Sequence, residues 1–65
     1  MKNRIRELRK TKQLHQAELA AFLGVSQAQY SNIENGKTNI SGEKLIALCR
    51  FFGVSADYLL GLSEE

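Results

Sequence analysis

The sequence contains no proline, one cysteine and one histidine. A lone cysteine, Cys49, has no internal disulfide partner, and Cys49 with His15 is too small a set to build a zinc cluster. No apolar run approaches the ~18 residues that a membrane span requires. The opening MKNRIRELRK is charged with no apolar stretch behind it, so it does not read as a signal peptide. There is no glycine-rich phosphate loop, and the only conceivable nucleophile–base pair is Cys49 with His15. Cys49 sits among Leu45, Leu48 and Phe52, which makes it a small core residue rather than a nucleophile. The neighbouring carboxylates Glu64 and Glu65 fall in a polar tail. No enzyme activity, metal, cofactor or small-molecule ligand is therefore expected. At 65 residues the chain suits one small reduced, cytoplasmic domain spanning 1–65, with an economical core, since so short a chain buries only about 60% of its unfolded surface.

Acidic residues are scarce in the first part of the chain. Residues 1–40 carry seven basic side chains against three acidic ones, and residues 41–65 carry two against four. The net charge of +2 thus hides a basic N-terminal part and an acidic C-terminal part. Such a split favours a polyanionic partner at the basic end, although a basic helix face is often only a solvated surface.

The absence of proline and the five glycines suggest helices separated by tight turns. Apolar residues recur at spacings of three and four, not two, so the expected fold is all-α. The pattern predicts helices over about 2–12, 16–23, 27–35 and 42–52, and a short fifth through about Leu60. The stretch from Lys37 to Ser41 reads as a loop, and residues 61–65 as a flexible tail. Gly-Val-Ser occurs twice, at 24–26 and 53–55, with one grammar: a glycine after the last helical turn, a buried valine, and a serine cap for the next helix. Each is a candidate helix-turn-helix joint. The residues that follow differ. After Ser26 comes Gln-Ala-Gln-Tyr-Ser-Asn, uncharged and rich in hydrogen-bonding groups. After Ser55 comes Ala-Asp-Tyr-Leu-Leu, apolar with a carboxylate unsuited to phosphates.

At about 100° per residue, Gln27, Ala28, Ser31, Asn32 and Asn35 share one side of the third helix, with Tyr30 and Ile33 opposite. That polar side is unusually poor in charge for an ordinary solvated surface. Its chemistry suits the DNA major groove: glutamine and asparagine pair bidentately with adenine N6 and N7, and alanine meets a thymine methyl.

The stretch QAELAAFLGVSQAQYSNIENGK, Gln16–Lys37, resembles the helix-turn-helix of the Cro and phage-repressor family, also called XRE. The resemblance extends over Ile5–Gly61, including LIALCRFFGVSADYLLG, Leu45–Gly61. It implies a compact five-helix, lambda-repressor-like DNA-binding domain with its helix-turn-helix at 16–35. It further implies a transcriptional regulator, a repressor above all, that binds double-stranded DNA as a homodimer on an inverted repeat. Residue by residue, Gln27, Ala28, Ser31 and Asn32 match base-facing positions, and Gln16, Asn35 and Lys37 match phosphate-contacting ones, with Gln16 also matching a glutamine that braces the next helix. Arg9 and Glu34 match a pair that forms a salt bridge between the first and third helices.

The chain departs from the family pattern at three places. His15 stands where a threonine or serine is common, and imidazole is a poorer N-cap than a hydroxyl; it reads as exposed and roleless, or as a phosphate contact when protonated. Ile40 replaces a frequent proline, which leaves the loop less rigid or places an extra apolar group on the surface. Ala28 replaces a frequently polar position. The fourth helix is apolar around much of its circumference: Leu45, Leu48, Cys49 and Phe52 form one stripe, and Ile46 and Phe51 lie outside it. Those two either pack on the fifth helix or belong to a dimer interface. Together with Ile40 they also keep open a rival reading, an antitoxin-like or bridging protein-interaction module on the same fold.

Overall fold

In the computed structural model, which describes residues 3–64, the chain winds into five helices: α1 (Ile5–Thr11), α2 (Gln16–Leu23), α3 (Gln27–Glu34), α4 (Gly42–Phe52) and α5 (Ala56–Leu59). No strand occurs among the described residues. α2 packs chiefly on α3, and α4 on α5. The spacing of apolar residues explains the core: Ile5 from α1, Leu19 and Ala20 from α2, Tyr30 and Ile33 from α3, Leu48 and Phe52 from α4, and Leu59 from α5 are all buried. Leu8, Leu14, Leu23, Val25, Ile40, Leu45, Cys49, Val54 and Leu60 close around them. No helix among the described residues is long and apolar enough to cross a membrane.

The helix ends follow local chemistry. Ser26 Oγ accepts from the Gln29 amide at 3.1 Å, while Gln29 Oε1 accepts from the Ser26 amide at 3.0 Å, a reciprocal capping box. Ser41 and Ser55 cap α4 and α5 through the amides of Lys44 and Tyr58. Gly24 ends α2 with φ 73° and ψ 31°, and Gly53 ends α4 with φ 69° and ψ 36°. In each case the next valine amide reaches back into the helix, Val25 to the Ala20 carbonyl and Val54 to that of Cys49, both at 3.0 Å. A Cβ at Gly24 would meet nothing within 4 Å, so only the left-handed backbone constrains the position. Gly24→Ala is accordingly expected to cost about 1–2 kcal/mol in urea unfolding, with Gly24→Asn losing less because asparagine tolerates that region.

Four sequence expectations shift. The first helix begins at Ile5, not near Lys2, which lies outside the described residues. Asn3 and Arg4 are drawn into long-range bonds instead: Asn3 Oδ1 accepts from the Ile5 amide at 3.0 Å, Asn3 Nδ2 donates to the Ile33 carbonyl at 2.9 Å, and the Arg4 amide donates to the Leu59 carbonyl at 2.8 Å. α3 ends one residue early because Asn35 serves as its C-cap, as Leu60 does for α5. Ile40, expected either to leave the loop less rigid or to add an apolar group to the surface, is not a surface group; it is half-buried against the core in the loop before α4. The segment read as a loose tail is tied through Ser63. The Leu62 amide donates to the Asp57 carbonyl at 2.8 Å, and one Arg4 guanidinium nitrogen donates to the carbonyls of Tyr58 (2.6 Å) and Ser63 (2.7 Å). The Arg4 guanidinium carbon also lies 4.3 Å from the Tyr58 ring centroid, a cation–π contact.

Candidate nucleic-acid interface

The joint between α2 and α3 sets the site. Gly24 turns the chain, Val25 plugs the turn into the core, and the Ser26–Gln29 box starts α3 at once. Tyr30 is 0%, Ile33 6% and Glu34 5% exposed, so one side of α3 is locked inside. The opposite side is open: Gln27, Ala28, Asn32 and Asn35 are exposed and Ser31 is half-buried. All five lie on the single outward face expected from the helical wheel. Asn35 Nδ2 donates weakly to Ser31 Oγ at 3.4 Å, which leaves the Ser31 hydroxyl hydrogen available to an outside acceptor. Gln29, although exposed, has its carbonyl oxygen committed to the cap.

Lys37 lies just past this face. Its amide donates to the Asn32 carbonyl at 2.9 Å, which fixes where its exposed side chain departs. Beside Asn32, a shallow groove is lined by Thr38, Asn39, Ser41 and Lys44 from the loop and the start of α4. These are groups that sequence reasoning did not single out. Nothing in a polar loop marks it in advance as a neighbour of one helix face.

Gln16 opens α2, half-buried, and it is not an isolated surface amide. Its Nε2 donates to Glu34 Oε1 at 3.3 Å. Glu34 is the one buried charged residue among the described residues, and it meets Arg9 in a two-pronged pair: Nε to Oε2 at 2.9 Å and one terminal guanidinium nitrogen to Oε1 at 3.0 Å. The other terminal nitrogen of Arg9 donates to the Leu14 carbonyl at 2.9 Å. The side chains are only 12% and 1% exposed, so this is an interior ion pair joining α1 to α3 and to the turn before α2. Burial pushes the Glu34 carboxyl up, but the hydrogen bonds from Arg9 and Gln16 and the charge of Arg9 outweigh it, and the net effect is a lowered pKa. The hydrogen bond to Glu34 holds the Arg9 guanidinium above its ordinary value despite burial. The Tyr30 hydroxyl lies in the same interior, close enough to interact electrostatically with both, but without hydrogen-bond geometry to any described group. Its pKa is raised, first by burial and then by Glu34.

The basic character of α1 is partly consumed. Arg4 clamps the C-terminal segment and Arg9 pairs with Glu34, while Arg6, Lys10 and Lys12 remain exposed. At His15, the position preceding α2, the exposed residue's amide donates to Glu18 Oε1 at 2.9 Å. The α2 cap is therefore helped by a glutamate three residues on, which the sequence reading overlooked although that spacing is its signature. Among the described residues, no group of three or more His, Cys, Asp or Glu side chains could hold a metal.

A core-anchored helix with an open, uncharged polar face, set by a Gly-Val-Ser joint behind a bracing helix, defines a helix-turn-helix protein. The chain belongs to the helix-turn-helix family of Cro and phage repressors, whose model matches residues 5–59. It is 36% identical over 62 residues to the uncharacterized HTH-type transcriptional regulator YobD of Bacillus subtilis (strain 168), covering 95% of this chain and 55% of that protein. It is 39% identical over 57 residues to the antitoxin PezA of Streptococcus pneumoniae serotype 4, covering 88% of this chain and 36% of that one. A crystal structure of the Salmonella phage P22 c2 repressor with a synthetic operator superposes with a TM-score of 0.81 at 40% identity, covering 92% of this chain and 91% of that one. The chain spans about half or less of the length of the curated relatives it matches.

Proposed function

We propose that the protein is a sequence-specific double-stranded DNA-binding repressor that places α3 in the major groove, acts in the cytoplasm and occupies an inverted-repeat operator as a homodimer. The observation that carries this reading is the outward face of α3, exposed yet uncharged, on a helix whose other side is buried. Gln27 and Asn32 make the main base contacts, with Ala28 and Ser31 secondary. Gln16, Asn35 and Lys37 hold register on phosphates, and Arg6, Lys10 and Lys12 add long-range attraction. The P22 c2 repressor, the structural relative, was crystallised with a synthetic operator, which supports the same use of the fold here.

The likeness to the antitoxin PezA, together with exposed Phe22, Ile46 and Phe51, favours a second reading, a protein-interaction module. Selection of bound duplexes from a random-sequence pool at near-physiological salt separates the two. An enriched inverted repeat with half-sites about one helical turn apart is the expected result. Binding only at low salt, with no enriched sequence, would favour the interaction module. Lys37→Ala is expected to weaken binding to all sequences alike and to reduce the slope of log K against log salt by about one unit.

A further inference from the structure

The interior between α1, α2 and α3 holds one polar group that the fold does not use. Tyr30 is fully buried, and its hydroxyl is the one buried side-chain polar atom without a hydrogen-bond partner among the described residues. Phenylalanine would fill nearly the same space without burying an oxygen, so the unpartnered hydroxyl is a structural cost that the packing does not require. The hydroxyl lies beside the Arg9–Glu34 pair, and burial together with Glu34 raises its pKa, so it keeps a hydrogen to donate. Glu34 Oε2 accepts from Arg9 Nε at 2.9 Å, and Oε1 accepts from an Arg9 terminal nitrogen at 3.0 Å and from Gln16 Nε2 at 3.3 Å. The bond from Gln16 is the longest of the three, and so the one most readily exchanged.

In the proposed function Gln16 has two partners. In the free chain its amide donates to Glu34; on DNA the same side chain holds a backbone phosphate. Gln16 is half-buried at the first position of α2. Turning its amide outwards withdraws a donor from a carboxylate that stays in the interior, which is costly unless another donor replaces it. An ionised carboxylate offers about four acceptor positions, and the Tyr30 hydroxyl, whose hydrogen rotates about the C–O bond, is the uncommitted buried donor among the described residues. We infer that Tyr30 is a positioning residue for Gln16: when the Gln16 amide leaves Glu34 for a phosphate, the Tyr30 hydroxyl donates to the carboxylate oxygen in its place. Glu34 thereby keeps its charge and its hold on Arg9 while Gln16 is released to the DNA. The inference deepens the phosphate contact of the proposed function and rests on that reading for its link to DNA; the exchange of donors on Glu34 is a property of the free chain and is tested there first.

A double-variant cycle in urea unfolding tests the exchange without DNA. Tyr30→Phe alone is expected not to weaken folding, because it removes an oxygen that has no partner. Gln16→Ala alone loses one donor to Glu34, which the hydroxyl partly replaces. The double variant has neither donor, and its folding equilibrium constant is expected to lie about threefold or more below the product of the two single effects. Additive effects, or a loss in Tyr30→Phe alone as large as that from a made hydrogen bond, would overturn the inference. Binding to duplex DNA supplies the second readout. Tyr30→Phe is expected to weaken binding about three- to tenfold, both to the duplex selected by the wild type and, at low salt, to an unrelated duplex, with the preferred sequence unchanged. In the Gln16→Ala background the same change should have no effect on binding, and in the Asn32→Ala background it should have its full effect. A loss that persists without Gln16 would be a distortion of α3 and would overturn the inference, as would wild-type affinity for both duplexes. These outcomes keep the two proposals apart. If the wild type enriches an inverted repeat but the unfolding cycle is additive, the donor exchange fails and the DNA reading stands. If the cycle is coupled but no sequence is enriched, the exchange stands and the DNA reading fails.

Discussion

Glu34→Ala is expected to cost about 3–5 kcal/mol of folding stability, because it leaves the Arg9 guanidinium in the interior without its counter-charge. A 65-residue domain has a total stability of about 3–10 kcal/mol at the usual value per residue, so this one change removes a large part of it. Urea titration followed by circular dichroism would show the midpoint falling with the slope unchanged. The size of this effect does not mean that the pair stabilises the fold by the same amount. Desolvating both ions offsets most of their attraction, and an apolar pair of similar volume is often as stable. The double variant Arg9→Met/Glu34→Leu is therefore expected to recover most of the loss. What it does not recover is the bond from Arg9 to the Leu14 carbonyl at 2.9 Å and that from Gln16 to Glu34 at 3.3 Å. A double variant no more stable than Glu34→Ala would show that these side bonds matter more than the unpaired charge.

The same carboxylate sets a pH dependence. The Glu34 pKa is lowered in the folded state from its ordinary 4.5, so the folded chain binds this proton less readily than the unfolded one. Its contribution to stability is fully present above about pH 4.5 and is lost as the pH falls through the lower, folded value. Wild-type unfolding free energy should fall along that acid limb. In the Arg9→Met/Glu34→Leu background this part of the slope should vanish, and a limb of undiminished steepness there would place the titration on another carboxylate.

The parts of this structure that were legible in the sequence are the ones governed by a few neighbouring residues. Gly24 and Gly53 announce helix ends because the left-handed conformation admits few other residues, and Ser26 and Ser55 announce helix starts because a short hydroxyl reaches the third amide. Tyr30 and Ile33 opposite Gln27 and Asn32 mark which side of α3 faces in. The Arg4 clamp on Tyr58 and Ser63 is a different matter. It joins groups more than fifty positions apart, and neither the arginine nor the carbonyls carry any local sign of it. The same holds for Asn3, which ties the start of α1 to the end of α3 through the Ile33 carbonyl. As a result, two of the basic-region residues read as attraction for a polyanion, Arg4 and Arg9, are committed within the fold. Ile40 shows the converse case: a hydrophobic residue in a polar loop looks exposed by its neighbours, but the rest of the chain half-buries it against the core. At the candidate interface, residue type and helical phase were enough to collect the five side chains of the α3 face. The Gln16–Glu34 bond is the brace onto the next helix that the family resemblance implied, although no local feature of the sequence named Glu34 as its partner, which depends on how α2 packs across α3.

That bond gives the second large effect its control. Asn32→Ala is expected to cost about 1–3 kcal/mol of binding free energy at the selected operator and to relax the preference at one base-pair position in each half-site. Asn32 is exposed and lies in the middle of the outward face of α3, with its carbonyl accepting from the Lys37 amide and its side chain directed away from the core. Removing the side chain should leave folding almost untouched, so the loss would be confined to DNA. Gln16→Ala should behave differently. It removes a proposed phosphate contact, so it should weaken binding to every sequence. It also removes a donor from Glu34, so it should lower stability by about 1 kcal/mol. Repeating the duplex selection with both variants distinguishes reading from holding: Asn32→Ala alters which sequence wins, whereas Gln16→Ala preserves the winner at lower affinity. If Asn32→Ala returned the wild-type sequence unchanged, another side chain would have to be reading that position. The groove beside Asn32 supplies Thr38, Asn39 and Lys44 as the next residues to test.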